Sequence, residues 1–331
     1  MDEAKINRTD ISLALLRSLM CFGVILAHCW KSKTYTSIIF LPFKEIETLA
    51  APVFMILTFY FSASLYFSPD ISNLKKRMTR LLIPHLGWAL IYFAVLQFFE
   101  AIPFTELLWQ IFMGHSYVLN ATMWFQTVLI VLTLLFFMIF SHADKKEGMF
   151  ISLLLTLFAL FMQISETNYN LFYDLRFELK YPLGRIIEMI PYAFTGLLLN
   201  YYDAFTCLKK YRYIFMMFFL FLLSLPYITD FPVCNGFGYA GITCYYLSLF
   251  MTLFCGLLPF DLLYLTPKKF FYQLSRYTLG IYCIHRLVFV FLGRYSFFST
   301  FTGCIILYFI CYLICFLINQ IPDKIINSLV N

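Results

Sequence analysis

Charged side chains are scarce in this chain, because only 13% of its 331 residues are Asp, Glu, Lys or Arg. An ordinary globular domain carries roughly 25% charged residues. Hydrophobic residues make up 62% of the sequence, and apolar runs recur from residue 11 to residue 320 without a break long enough for a second domain. This composition excludes a soluble protein and predicts an all-α, polytopic membrane protein with one domain over residues 1–331.

Several sequence motifs of catalysis are also absent. The chain has no GxSxG, no HExxH, no Gly-rich phosphate loop and no Asp-rich metal loop. These absences argue against a serine hydrolase, a zinc protease, a P-loop NTPase and a glycosyltransferase with an Asp-rich metal site. No metal ion is expected, and the side chains that remain for chemistry are mainly His and Arg.

The ten cysteines show neither CxxC spacing nor a His-rich neighbourhood. Most of them fall inside apolar runs, so we interpret them as small packing residues rather than as metal ligands or disulfide partners. Only Cys234 sits in a polar loop.

Ten transmembrane spans are predicted from the apolar runs, which are long enough to cross a hydrocarbon core. They lie near residues 11–29, 49–68, 81–99, 121–141, 149–165, 184–200, 213–229, 238–258, 274–294 and 302–320. The first span has no small-residue cleavage site and is interpreted as a retained helix. Ten spans place the N-terminus and the C-terminus on the same side of the membrane.

The distribution of positive charge predicts which side that is. Fifteen of the 24 Lys and Arg residues fall in the N-terminus, the even-numbered loops and the C-terminal tail, against six in the odd-numbered loops. Because positive residues stay in the cytoplasm, both termini are predicted to be cytoplasmic. Orientation therefore explains the net charge of +6, and no nucleic-acid partner is expected.

Three arginines lie within spans, namely Arg17, Arg185 and Arg286. A buried arginine at a helix centre costs at least ~2.5 kcal/mol, so each should face a cavity or a partner. Arg17 and His28 share the first span 11 positions apart, which returns them to within about 20° of one face. In the predicted orientation, Arg17 is a cationic anchor in the inner half and His28 is an acid/base group near the outer end. The alternative is that His28 is only structural.

The second loop and the start of the third span form a basic segment, NLKKRMTRLLIP, which ends with Pro84 at the beginning of the span. One interpretation is a topology signal. The other is an anion site, because Lys76 and Arg80 are four apart and Arg77 and Arg80 are three apart, so on a helix they project together. Coenzyme A is a phosphate-rich ligand that such a site would bind.

Other polar residues within spans have both a structural and a functional interpretation. Arg185 and Glu188 are three apart and are expected to pair, with a role in substrate binding as the alternative. His285 is a second intramembrane imidazole, with a hydrogen-bonded structural role slightly preferred. Trp124, at the start of the fourth span, could stack on a sugar ring, although an interfacial aromatic belt is favoured.

The motifs, in their order along the chain, resemble the acyltransferase-3 family of integral membrane acyltransferases, which modify sugars of surface polysaccharides and related acceptors. The resemblance runs through LLRSLMCFGVILAHCW, APVFMILTFYFSASLYF, KKRMTRLLIPHLGWALIYF, MWFQTVLIVL, YPLGRIIEMIPYAFTGLLL and LSRYTLGIYCIHRLV. The first motif resembles the family's first-span Arg and His, and the third resembles its basic motif before a Pro-containing span.

The chain departs from the family pattern at three positions. Ala14 stands where the family commonly has an Asp three residues before the first-span Arg, and Thr58-Phe59 stands in place of a Ser-Gly pair. Arg286 follows His285 where the family usually has Pro. Loss of the Asp removes an orienting partner expected for Arg17, and Phe59 is expected to narrow a path that Gly would leave open.

The resemblance implies transfer of an acyl group, with acetyl from acetyl-CoA as the leading choice, to a hydroxyl of a lipid-linked or surface glycan. His28 would be the base and Arg17 would orient the donor, while Lys76, Arg77 and Arg80 would hold the coenzyme A phosphates; Trp124, Arg185, Glu188 and His285 would contact the acceptor. The implied location is the inner (plasma) membrane of a bacterium, with a homo-oligomer left open. The alternatives are a glycan or lipid-precursor transporter or flippase without chemistry, and an inactive member that acts as a partner.

Overall fold

The computed structural model describes residues 8–29, 41–99, 101–114, 123–169, 177–228, 242–258, 273–321, 326–327 and 329–330. Regular structure in these ranges is helical, with no strand. The long helices are α1 (Arg8–Cys29), α2 (Leu41–Phe61), α4 (Ile71–Gln97), α6 (Trp124–His142), α7 (Lys145–Tyr169), α8 (Phe177–Tyr201), α10 (Arg212–Ile228), α11 (Ile242–Leu257), α12 (Thr278–Leu292) and α13 (Phe301–Asn319). Shorter helices are α3 (Ala63–Phe67), α5 (Phe104–Met113), α9 (Ala204–Lys209) and a 3₁₀ turn at Ser296–Ser299.

The predicted spans and the observed helices coincide. Each predicted span overlaps one of the ten long helices, and the second also includes α3. Five helical segments in the described ranges are long and apolar enough to cross a membrane, namely Ile11–Cys29, Ile71–Gln97, Trp124–His142, Lys145–Gln163 and Phe301–Asn319. The prediction of an all-α, polytopic membrane protein is therefore confirmed.

The structure differs from the prediction at α4. This helix begins at Ile71 and contains Pro84 in its interior, so the prediction that Pro84 begins the span is wrong. Asp70 caps the N-terminus, because its carboxylate accepts a hydrogen bond from the Ser72 backbone N–H at 3.0 Å, and hydrogen bonds from Ser72 lower the pKa of Asp70. The cap starts the helix before the apolar run, so the basic segment is itself helical.

Helix α5 was not predicted, because ten residues are too few to span a membrane. It lies between the third and fourth predicted spans and buries Leu107 and Gln110, while Phe104 and Phe112 remain exposed. Gly114 ends the helix in the left-handed region at φ 66°, where glycine has no steric penalty. The apolar exposed side is typical of a helix at the membrane surface.

Helix α1 lies at the centre of the bundle and packs against α2, α11, α12 and α13. Helix α1 runs parallel to α12. The Cys21 thiol donates to the Thr278 carbonyl at 3.5 Å, and further along both helices, in the same direction, the rings of His28 and His285 lie beside each other. The same offset of 257 residues separates both pairs. Successive transmembrane spans alternate in direction, so the first and ninth predicted spans should run in the same direction.

The cysteines lie mostly within the helix packing. All nine cysteines in the described ranges are free, and seven of them are buried. The interpretation of these residues as packing residues is confirmed, whereas Cys234 lies outside the ranges that the structure describes.

Phe59 is fully buried and packs away from the candidate site described below. Its ring stacks on Tyr66 with centroids 5.3 Å apart and meets the edge of Phe136 at 5.2 Å. Gly196 of α8 makes room for this part of α2, since a Cβ there would lie 2.9 Å from the Phe59 Cβ and would overlap the Ile56 carbonyl oxygen. The expectation that Phe59 narrows a substrate path is therefore wrong.

We expect Gly196→Ala to lower the thermal stability of the protein in detergent, because the added methyl forces α2 and α8 apart and overpacking costs about 1–3 kcal/mol. Gly184→Ala is the matched control on the same helix, since a Cβ at Gly184 meets no atom within 4 Å. That control gains the helix propensity of Ala, about 1 kcal/mol. Equal melting temperatures for the two variants would contradict the close approach of α2 and α8.

Candidate active site

A cavity of about 440 Å³ opens among α1, α2, α4, α6, α8 and α12. Its wall includes apolar side chains such as Val24, Phe54 and Leu57, together with a set of polar and charged residues. The charged residues and the tryptophan of this set are Arg17, His28, Glu47, Arg77, Arg80, Trp124 and Arg185. Most residues predicted as site residues thus meet in one space.

Helix α1 places Arg17 and His28 in this cavity, as their register predicts. Both side chains are partly buried and both line the wall. Eleven residues of α-helix separate them by about 16 Å along the axis. The cavity is therefore elongated along α1, with a guanidinium at one end and an imidazole towards the other.

The first turns of α4 supply two more arginines to the end of the cavity that carries Arg17. Arg77 and Arg80 line the wall, and the Arg77 Nε is buried with no hydrogen-bond partner in the described ranges. Lys76 is exposed and is not among the lining residues. The predicted orientation puts this arginine cluster on the cytoplasmic side, where α4 begins.

Trp124 and Arg185 form the wall at the opposite end. The Arg185 guanidinium lies 5.2 Å from the centroid of the Trp124 ring, and Arg185 Nη1 donates to Glu188 Oε2 at 2.7 Å. The predicted Arg185–Glu188 pair is confirmed. Trp124 is buried against Arg185, so its assignment to an exposed aromatic belt is wrong, whereas stacking on a sugar stays a prediction.

We expect Arg185→Met to lower the thermal stability, because it removes the guanidinium that forms an ion pair with Glu188. The side chains of Arg185 and Glu188 are only 15% and 14% exposed, and the loss should fall somewhat below the ~3–5 kcal/mol of a fully buried broken pair. The double variant Arg185→Met/Glu188→Met should recover most of the loss in a thermal unfolding assay. A double variant no more stable than the single one would contradict this account.

His285 lies behind the cavity wall and is fully buried. Its Nδ1–H donates to the Tyr282 carbonyl at 2.7 Å, which sets the tautomer because a carbonyl can only accept. Its ring centroid is 5.4 Å from that of His28. His285 is not among the lining residues, so the hydrogen-bonded structural role is favoured and direct contact with an acceptor stays a prediction.

Each of the three intramembrane arginines has the kind of surroundings that its burial cost requires. Arg17 lines the cavity, Arg185 pairs with Glu188, and Arg286 Nη1 donates to the His28 carbonyl at 3.0 Å. The expectation that each faces a cavity or a partner is confirmed.

Glu47 also lines the cavity, although the sequence did not predict it as a site residue. The predicted second span begins at residue 49, whereas α2 begins at Leu41, so the predicted span excludes Glu47. A signal was present, because Glu47, Ala51, Phe54 and Thr58 repeat at helical spacing on one face of α2, and all four line the wall.

Ala14, which stands where the family commonly has an Asp, is buried and is not among the residues that line the cavity. Its carbonyl accepts a hydrogen bond from the Ser18 hydroxyl at 3.0 Å.

A comparison with protein-family models finds a match over most of the chain. The family model described as "Acyltransferase domain", that of the acyltransferase-3 family, matches residues 10–320. This range includes α2 to α13 and nearly all of α1. No curated protein and no solved structure matches the chain at the significance required.

Proposed function

Because the chain belongs to the acyltransferase-3 family of membrane acyltransferases, we propose that it transfers an acetyl or other short acyl group from acyl-CoA to a hydroxyl of a cell-surface or lipid-linked glycan. The observation that carries the proposal is a cavity that has three arginines, Arg17, Arg77 and Arg80, towards one end and the His28 imidazole towards the other. Such an arrangement suits a polyanionic donor and a neutral alcohol that approach from opposite ends.

The arginine cluster suits the phosphates of coenzyme A. Guanidinium groups bind phosphate through charge-assisted hydrogen bonds, and the buried Arg77 Nε, with no partner in the described part of the chain, is a donor that an anion would satisfy. Lys76 is exposed beside this cluster and would act at its outer edge. The acyl group and the thioester would then extend past Arg17 along the apolar wall towards His28.

His28 supplies the group that an alcohol needs in order to react. A sugar hydroxyl is a weak nucleophile near neutral pH, and histidine is the side chain whose protonation changes in that range. His28 takes the hydroxyl proton while the oxygen bonds to the acyl carbon. The carbon–sulfur bond breaks, and the imidazolium returns the proton to the thiolate, which leaves as coenzyme A. Arg17 would bind and orient the donor between its phosphates and the thioester that reacts beside His28.

The opposite end of the cavity would hold the acceptor. Trp124 offers an aromatic edge, and the Arg185–Glu188 pair and Glu47 offer charged hydrogen-bonding groups, which are the group types that orient a polyol. In the predicted orientation this end faces the outer half of the membrane. Acylation of a glycan on that side, in the plasma membrane of a bacterium, is consistent with this placement.

Two measurements test the proposal. Mass spectrometry of surface glycans from cells with and without the intact gene should show a difference of one acyl group per modified residue. The purified protein in liposomes should release free coenzyme A thiol from acetyl-CoA only when the acceptor glycan is present. Movement of the glycan across the bilayer without thiol release would establish a transporter instead, and acetyl-CoA binding without turnover would establish an inactive partner protein.

A further inference from the structure

His28 lies in the last turn of α1 that the structure describes, one residue before Cys29. The position of its imidazole follows the position of this turn. A group that binds the backbone of the turn therefore also fixes the ring.

Arg286 of α12 supplies such a group. Its Nη1 donates to the His28 carbonyl oxygen at 3.0 Å, and its Cζ lies 5.9 Å from the centroid of the Phe289 ring on the same helix. A cation at the C-terminus of a helix also interacts favourably with the helix dipole. Arg286 therefore binds α1 at the residue whose side chain enters the cavity.

Helix α4 fixes the part of α12 that carries Arg286. The buried Tyr92 hydroxyl donates to the Cys283 carbonyl at 2.9 Å and accepts from the Leu287 backbone N–H at 2.9 Å. These two backbone groups flank His285 and Arg286. A continuous set of hydrogen bonds thus runs from Tyr92 through α12 to the end of α1.

We propose that Arg286 is a positioning residue that fixes the last turn of α1, and with it the His28 imidazole, for reaction with the acceptor hydroxyl. The proposal rests on the proposed acyl transfer and assigns Arg286 no contact with donor or acceptor, because it is not among the residues that line the cavity. A misplacement of about 1 Å can lower a reaction rate ~10²-fold. Arg17 lies about 16 Å from His28 along α1, with Arg77 and Arg80 of α4 at the same end of the cavity as Arg17, so donor binding should be unaffected.

The test compares Arg286→Met, Arg286→Lys and Arg294→Met in purified protein in liposomes. Arg286→Met keeps the length of the apolar side chain but has no donor, and it should lower kcat between ~10- and ~100-fold with an unchanged KM for acetyl-CoA. Arg286→Lys retains a donor cation and should recover part of kcat. Arg294 is exposed after the end of α12, so Arg294→Met should keep wild-type kinetics. An unchanged kcat, or a fall in kcat that tracks a raised KM and a lower melting temperature, would overturn the proposal.

Hydrogen exchange keeps this test separate from the proposed function. Arg286→Met should speed amide exchange at Ala27, His28 and Cys29, while exchange in the middle of α1 around Cys21 stays at the wild-type rate. If the wild-type protein transfers no acyl group, the proposed function fails, and local exchange at these three amides still decides whether Arg286 anchors the turn. Unchanged exchange at all three amides would overturn the anchoring role.

Discussion

His28→Ala should lower the rate of acyl transfer by about 10²- to 10⁴-fold, the contribution of a positioned general base. The substitution removes the imidazole that α1 places at the cavity wall and leaves the three arginines at the other end of the cavity unchanged. The measurement is acetyl-CoA-dependent thiol release with acceptor glycan in liposomes. Binding of acetyl-CoA, followed separately, should persist.

The matched control for this variant is His142→Ala, because His142 is exposed in the last turn of α6 and lies outside the cavity lining. Both variants should keep the melting temperature of the wild type to within experimental error, since the His28 ring borders the open cavity and His142 is exposed. A fully active His28→Ala protein would refute the assignment of the base. Recovery of an acyl group on His28 in a single-turnover experiment without acceptor would instead identify a covalent relay.

Arg77→Met should raise the KM for acetyl-CoA by roughly 10- to 150-fold, which corresponds to about 1.5–3 kcal/mol for a hydrogen bond to a charged group. The expected cause is the loss of a guanidinium whose Nε is buried at the cavity wall. Lys75→Met is the matched control, because Lys75 is exposed two residues earlier on the same helix. Kinetics with varied acetyl-CoA measure both variants.

A shortened donor distinguishes phosphate binding from a general effect on the fold. Acetyl-pantetheine carries the thioester without the phosphates, so the wild type and Arg77→Met should use it equally poorly. An Arg77→Met protein that remained impaired relative to the wild type with acetyl-pantetheine would place Arg77 near the reacting centre instead. The same comparison with Arg80→Met would show whether the two arginines share one phosphate.

The sequence was sufficient to predict elements whose cause is local. Apolar runs of span length located the long helices, because an α-helix satisfies its backbone hydrogen bonds within its own segment, as the lipid interior requires. The 11-residue spacing of Arg17 and His28 predicted a shared face, and the structure puts both on the cavity wall. The Arg185–Glu188 pair followed from a spacing of three on one helix.

Features that depend on contacts between helices far apart in the sequence could not be predicted. Lys76 and Arg77 are adjacent in the sequence, yet only the packing of α4 determines that Arg77 lines the cavity while Lys76 is exposed. The aromatic-rich composition favours a place for Trp124 in an interfacial aromatic belt. The structure instead packs Trp124 against Arg185 of another helix. The position of Phe59 outside the cavity depends on the close packing of α2 against Gly196 of α8, which the sequence does not reveal.

The pairing of α1 with α12 bears on how the protein is made. The two helices touch side by side at His28 and Arg286, although the ribosome completes one long before it begins the other. A nascent chain that has inserted α1 to α11 already holds His28, Arg77 and Trp124, but it lacks Arg286, which binds the turn of α1 that carries His28. Competence should therefore arise late in biogenesis, as a single event on arrival of α12, and C-terminally truncated products should accumulate inert rather than partly active.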